Sequence, residues 1–319
     1  METKTSTYLE ICSELNFDKI IDHPNILIAA NFWEEDRFRA ARFCYKLMRE
    51  IDDLIDNYKS EFIVIEESDR ELFISKVNQW ITSIRNQSPD NPFQKELIDT
   101  FNTFRIPVWT METFAKSMIY DIYHNGFCSL ESFLEYSRGA SIAPASVFVH
   151  LCGITKGPEG YGAPVYDVKM AATPCAIFSY LVHIIRDFQK DQTSNLNYFA
   201  DDMILKYGLS REELYEMALG GRIKDGFRSM IREYFHLADQ YRLKTYEMIR
   251  EISPFLAPRY QLSLEIIFNL YLMVFERINV EEGNFSKEEL NPTADEIKSR
   301  VYQTIYSFEE VKLRQIISC

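Results

Sequence analysis

Apolar residues recur along this chain at the three- and four-residue intervals of helical faces, and no segment sustains the alternation of a strand. The pattern predicts helices over residues 34–58, 69–85, 93–104, 109–123, 130–152, 167–192, 211–220, 222–252, 255–278 and 294–316. Four pairs read as capping boxes: Ser68/Glu71, Ser210/Glu213, Ser286/Glu289 and Thr293/Glu296. In such a pair the hydroxyl accepts from an orphan N–H and the acid reaches back to the cap. There is no internal repeat and no low-complexity tract.

The most apolar stretch runs from Met170 to Ile185 and stops at Arg186-Asp187. It falls short of the roughly 18–20 apolar residues of a spanning helix, so it reads as a buried one, with peripheral membrane contact left open. Residues 139–154 and 170–185 read as neighbouring inner helices of one core. Between them, Gly153 to Pro164 holds four of the eleven glycines. That segment reads as a long inter-helix loop, with a mobile flap over a site as the sharper alternative.

Composition supports helices. Among 319 residues there are only 11 Gly and 11 Pro, whereas average usage would be roughly 12% of a chain. A sheet protein needs more turns than that supply allows. Length alone suggests about two domains, but the shared apolar core favours a single domain over 1–319. The net charge of −13 argues against nucleic-acid binding, which usually shows a basic patch. It leaves anionic substrates open, because acids can hold the metal ions that carry phosphate. The six cysteines are scattered and no signal-peptide pattern opens the chain, so a cytoplasmic protein with reduced thiols is expected. Dinucleotide, P-loop, HExxH and GxSxG motifs are missing. Five unclustered histidines argue against zinc.

Two acidic clusters carry the candidate chemistry. In Tyr45-x-x-x-Arg49-x-x-Asp52-Asp53-x-x-Asp56, a helix turning about 100° per residue gathers all five side chains into a sector of about 100°. The sector lies beside the apolar face of Cys44, Leu47, Met48, Ile51 and Ile55 rather than opposite it. In His183-x-x-Arg186-Asp187-x-x-x-Asp191 the spacing i, i+4, i+8 makes a second stripe, with Arg186 on its edge. Like charges at i, i+4 destabilise a helix by roughly 0.2–0.5 kcal/mol, so something must offset them. A solvated acidic face is the plainer reading of either stripe alone. Two facing stripes could instead hold Mg²⁺ ions and a diphosphate between them, with Arg49 and Arg186 taking part of the anionic charge through bidentate contacts.

Together the motifs resemble the squalene/phytoene synthase family of head-to-head prenyl transferases. The family's Y-x-x-x-R-x-x-D-D-x-x-D helix is intact as Tyr45, Arg49, Asp52, Asp53 and Asp56. Its second motif, N-x-x-R-D-x-x-x-D, is matched from His183 to Asp191, and a following Tyr is matched by Tyr198. Tyr271 resembles the Tyr of a late helix, and the likeness covers roughly residues 20–280. It implies an all-α isoprenoid-synthase bundle around a central apolar cavity. It also implies Mg²⁺, with Mn²⁺ as an alternative, held by Asp52, Asp53, Asp56, Asp187 and Asp191. Arg49, Arg186, Tyr45, Tyr198 and Tyr271 would serve catalysis, and Arg49, Arg186, Tyr136, Tyr180 and His183 would face substrate. The implied reaction joins two farnesyl or geranylgeranyl diphosphates 1′–1 through a cyclopropyl intermediate, with NADPH needed only for squalene. A cyclase, an arrested synthase and a non-catalytic binding relative are the alternatives. Three family positions differ: the usual Asn is His183, a Gln is Tyr180 and an Arg is Leu196.

Overall fold

A computed structural model describes residues 4–19, 25–61 and 65–317. Its helices are α1 (Lys4–Glu14), α2 (Asn25–Ala30), α3 (Glu35–Glu61), α4 (Glu67–Asn86), α5 (Pro92–Phe104), α6 (Trp109–Tyr123), α7 (Leu130–Ser137) and α8 (Ala143–Gly153). They continue with α9 (Val168–Arg186), α10 (Phe188–Thr193), α11 (Asp201–Lys206), α12 (Arg211–Ala218), α13 (Asp225–Ile252), α14 (Pro258–Phe275), α15 (Lys287–Leu290) and α16 (Ala294–Ile317). The expected all-α bundle is therefore what forms. Its axis is α9, packed on α13, α8 and α14, with α3 against α8 and α6 on the other side. Phe178, Leu181, Ile184 and Ile185 of α9 are buried in that core. By length and composition α9 could cross a membrane, but 67% of it is buried inside the protein.

Helix starts follow local chemistry. The boxes at Ser210/Glu213 and Thr293/Glu296 form in both directions. Ser286 caps α15, but Glu289 turns to the N–H groups of Asn284 and Phe285 instead. Ser68 caps nothing, because α4 begins one residue earlier; Glu67 and Asp69 in its first turn complement the helix dipole. A box of two serines, Ser129 and Ser132, opens α7.

Two segments correct the sequence reading. The glycine-rich segment expected to be a loop is a hairpin, β1 (Thr155–Gly157) paired with β2 (Gly160–Gly162). Gly160 sits at φ +106, where side chains are strained. Strands of three residues are too short for alternation to show. Tyr161 pins the hairpin to α3 by donating to Asp36 at 2.7 Å and to α5 by stacking on Phe104.

The helix expected over 130–152 is broken by a π-helical turn at Arg138–Ile142, after which Pro144 sits in the first turn of α8. That position spares a proline its missing N–H. The turn is pressed onto α6: a Cβ on Gly139 would lie 2.2 Å from the carbonyl oxygen of Thr113. A Gly139→Ala protein should therefore lose about 1–3 kcal/mol of stability. Denaturant unfolding would show this as a lower midpoint at constant slope.

Candidate functional site

α3 is long enough to carry two differently loaded ends. Near its start Arg37 is buried, donating to the Leu151 carbonyl at 2.9 Å under the rings of Tyr161 and Tyr260. Its far half presents Tyr45, Arg49, Asp52, Asp53 and Asp56 toward the C-terminal end of α9. There α9 breaks at Asp187 (φ −91, ψ 8), and α10 continues the direction closely enough for Asp191 N–H to donate to Asp187 O at 2.8 Å. The helix expected over 167–192 is thus two helices, and His183, Asp187 and Asp191 still share one side.

The electrostatics show the stripes facing each other. Burial first, then the charge of Asp56, pushes Asp52 up to about 7, with Arg49 opposing. Asp56 rises to about 6 through burial and Asp121. Asp191 also rises through burial, and both Asp187 and Asp56 contribute. Asp187 behaves differently. Against the upward push of burial, Arg186 brings it down to about 2 by donating to both oxygens, at 2.7 and 2.8 Å. His183 Nε2 stands 3.4 Å from the same carboxylate. Asp53 lies on the rim with 40% of its side chain exposed, and pairs with Arg49 at 2.5 Å. Arg49 also holds Asp52 at 2.9 Å.

Behind the carboxylates lies a recess bordered by partly accessible side chains, His183, Tyr271 and Cys175 among them. The His183 side chain keeps 40% of its surface accessible, yet desolvation brings its pKa down to about 4. The same holds for half-buried Tyr271 and Cys175, each pushed up to about 12 by burial. Tyr45 is also pushed up to about 12 by burial, and Tyr271 meets the His183 ring edge-on at 6.2 Å. Tyr180 stacks on Phe133 at 5.2 Å and meets Tyr198 at 6.2 Å and Tyr136 at 6.4 Å. The clefts outlined on the outer surface, about 360 Å³ beside Asp18 and Lys298 and about 630 Å³ along Asn78 and Asn86, contain none of these residues.

Every residue of the two motifs, with Tyr136, Tyr180, Tyr198 and Tyr271, therefore borders one region. Asp121 of α6 and Lys59 of α3 belong there too, and the sequence reading missed them. Burial raises Asp121 to about 6 against the pull of Lys59. Lys59 lies about 40° from Tyr45 on the helical wheel, so its place on the stripe was readable. Asp121 carries no local signal.

Among the described residues no three acidic, imidazole or thiol side chains converge as a closed metal cage. Mg²⁺ does not need such a cage: it usually takes one or two carboxylates and completes its shell with water and substrate phosphate. Mutually repelling Asp52, Asp56 and Asp191 call for added positive charge. The buried Arg49 Nε–H has no acceptor and calls for an anion.

The family model for squalene/phytoene synthase matches residues 24–295. Phytoene synthase 1, chloroplastic, of Solanum lycopersicum is 22% identical over 256 residues, covering 79% of this chain and 57% of that protein. Phytoene synthase 2, chloroplastic, of the same plant is 21% identical over 252 residues, covering 78% and 75%. The chain thus matches little more than half the length of the first of these relatives. Among solved structures, a dehydrosqualene synthase in complex with ligand superposes with a TM-score of 0.71 at 14% identity, covering 96% of this chain and 99% of that one. Squalene synthase HpnC from Alicyclobacillus acidocaldarius gives 0.65 at 12%, covering 91% and 95%.

Proposed function

The chain belongs to the squalene/phytoene synthase family, and we propose that it joins two prenyl diphosphates, farnesyl or geranylgeranyl, head to head into a squalene-, dehydrosqualene- or phytoene-type product. The observation that carries this reading is an excess of carboxylate charge at one mouth beside a guanidinium with an N–H to spare. Asp52, Asp56 and Asp191 hold more negative charge than their surroundings neutralise, while Arg49 keeps a buried N–H without an acceptor. A diphosphate with its cations answers both.

Mg²⁺ ions, each taking one or two of the carboxylates of Asp52, Asp56 and Asp191, would supply neutralisation of the leaving diphosphate. Asp187, already gripped by Arg186, is less available to it. Arg49 offers its fork to phosphate oxygens and lets go of Asp52 in doing so. Tyr45 and Tyr271 lie close enough to feel one another's charge, and their hydroxyls would orient the head group. The rings of Tyr136, Tyr180 and Tyr198 present π faces to an allylic cation and keep water away from it. NADPH would enter only for a squalene product.

The test is incubation of the folded protein with labelled farnesyl and geranylgeranyl diphosphates and Mg²⁺. Diphosphate release with a two-unit apolar product is expected; no release from either substrate overturns the reading. The substitutions at Tyr180 and His183, both on the recess wall, favour a second outcome. Retention of one diphosphate on a two-unit product would mark a synthase that stops at the cyclopropyl stage, and a one-unit product a cyclase.

A further inference from the structure

Lys190 lies inside the second acidic stripe, and neither motif uses it. It stands seven residues after His183, close to two full helical turns, so it is in phase with that imidazole. The rest of α10 fixes this placement. Phe188 is buried against Phe227, with ring centroids 4.6 Å apart. Gln192 is buried and donates to Asn197 Oδ1 at 3.0 Å. Gln189 Oε1 accepts the Lys287 N–H at 3.0 Å. With those three side chains engaged by the fold, Lys190 and Asp191 are left on the side of the mouth.

The other cations of the mouth are already held. Arg49 pairs with Asp52 and Asp53, and Arg186 grips Asp187. Lys59 stands 3.5 Å from Asp121 and donates to the His124 carbonyl at 2.7 Å. Lys190 is exposed and closes no ion pair among the described residues. Its charge nevertheless reaches both stripes. Burial is the largest influence on Asp52, His183, Asp187 and Asp191, yet all four also feel the Lys190 ammonium. An ammonium on a four-carbon stem is a mobile point charge. One that faces carboxylates without closing on any of them is free to take another anion.

We propose that Lys190 is the mouth's own counter-cation: it shields the facing carboxylates while the site is empty and moves onto a diphosphate oxygen when the site is filled. The protein then supplies one of the positive charges that the leaving group needs. This rests on the prenyl-transfer reading above. The two positions of the ammonium have opposite consequences for the two ligands of the mouth. In the empty site it repels an incoming divalent cation. In the filled site it donates a charge-assisted hydrogen bond to the anion.

The probes are inorganic pyrophosphate and Mg²⁺, titrated into the full chain. Lys190→Gln keeps a polar side chain on the surface and removes the charge. By calorimetry at saturating Mg²⁺ its pyrophosphate affinity should fall at least about tenfold, the low end for losing a hydrogen bond to a charged group. Without pyrophosphate, the Mg²⁺ concentration that gives half the rise in melting temperature should also fall, at least about threefold, because a nearby like charge is gone. Pyrophosphate thus binds more weakly and Mg²⁺ alone more tightly, whereas a lysine that merely propped the helix would weaken both or neither. Lys190→Arg should return both quantities close to wild type. An unchanged pyrophosphate affinity in Lys190→Gln, or a Mg²⁺ midpoint that does not fall, overturns the proposal. Wild-type protein that binds no pyrophosphate at saturating Mg²⁺ overturns the prenyl-transfer reading instead.

Discussion

An Asp52→Asn protein is expected to melt higher than wild type in the absence of cations while releasing diphosphate at least about a hundredfold more slowly. Both halves follow from one side chain. Asp52 is pushed up to about 7 by burial and by the Asp56 charge, so its ionised form works against the fold. An amide of the same shape removes that repulsion and keeps an acceptor for Arg49, now 2.9 Å from the carboxylate. Yet the same charge is what would draw cations to the mouth and neutralise the leaving group. Stability and activity should therefore move in opposite directions, as at sites that hold strain for function. Asp53→Asn is the control. Its carboxylate is 40% exposed on the rim, and its loss should leave both quantities much closer to wild type. Thermal melts in EDTA beside single-turnover diphosphate release would show the split; an Asp52→Asn protein that is both less stable and fully active would contradict it.

Acidifying the cation-free protein from pH about 7.5 to about 5.5 should raise its melting temperature, by roughly 2–4 °C for each kcal/mol gained. The sign is set by which state holds the protons. Folded Asp52 titrates near 7, and Asp56 and Asp121 near 6, all above the ordinary aspartate value of 3.8. Between those limits the folded chain binds protons that the unfolded chain does not, so stability falls as pH rises. Asp187, brought down to about 2, contributes stability above its ordinary pKa and loses it only in stronger acid. His183, held down to about 4, and buried His150, also lowered, oppose the trend below their ordinary 6.5. Two imidazoles stand against four carboxyls, Asp191 included, so the carboxyls prevail. Mg²⁺ at pH about 7.5 should raise the melting temperature and flatten this slope, because it discharges the same carboxylates. Melts across pH with EDTA or Mg²⁺ test it; a flat profile in EDTA would exclude the repulsion.

The helical bundle was legible because it rests on short-range regularities: apolar spacing, cap residues and a shortage of turn-formers. Where those signals compete, sequence reading slipped. Ser68 looked like a cap, but the acids at Glu67 and Asp69 start the helix earlier. The hairpin at Thr155–Gly162 has strands too short to alternate, and its fixing points, Asp36 and Phe104, lie far away in sequence. The two aspartate stripes were visible because each sits on one helix with its arginine in phase. That Arg186 would engage both oxygens of Asp187, leaving Asp191 as the less neutralised charge of its stripe, depended on rotamers that spacing does not determine. Asp121 was hidden for a related reason. Its partners Tyr136 and Lys59 come from two other helices, and only the packed bundle brings them together.

The π turn at Arg138–Ile142 gives the inner helix one residue more than its length requires. Beyond that surplus the numbering is rephased: the faces after the turn are rotated by about 100° relative to those a regular helix would present. Tyr136 lies before the turn, while Ser141, which grips the Ala176 carbonyl of α9 at 2.8 Å, lies within it. The face that Tyr136 shows to the recess is thus tied to a count of residues rather than to the identity of any one of them. A relative that gained or lost a single residue here could keep every side chain of the site and still turn its tyrosine away.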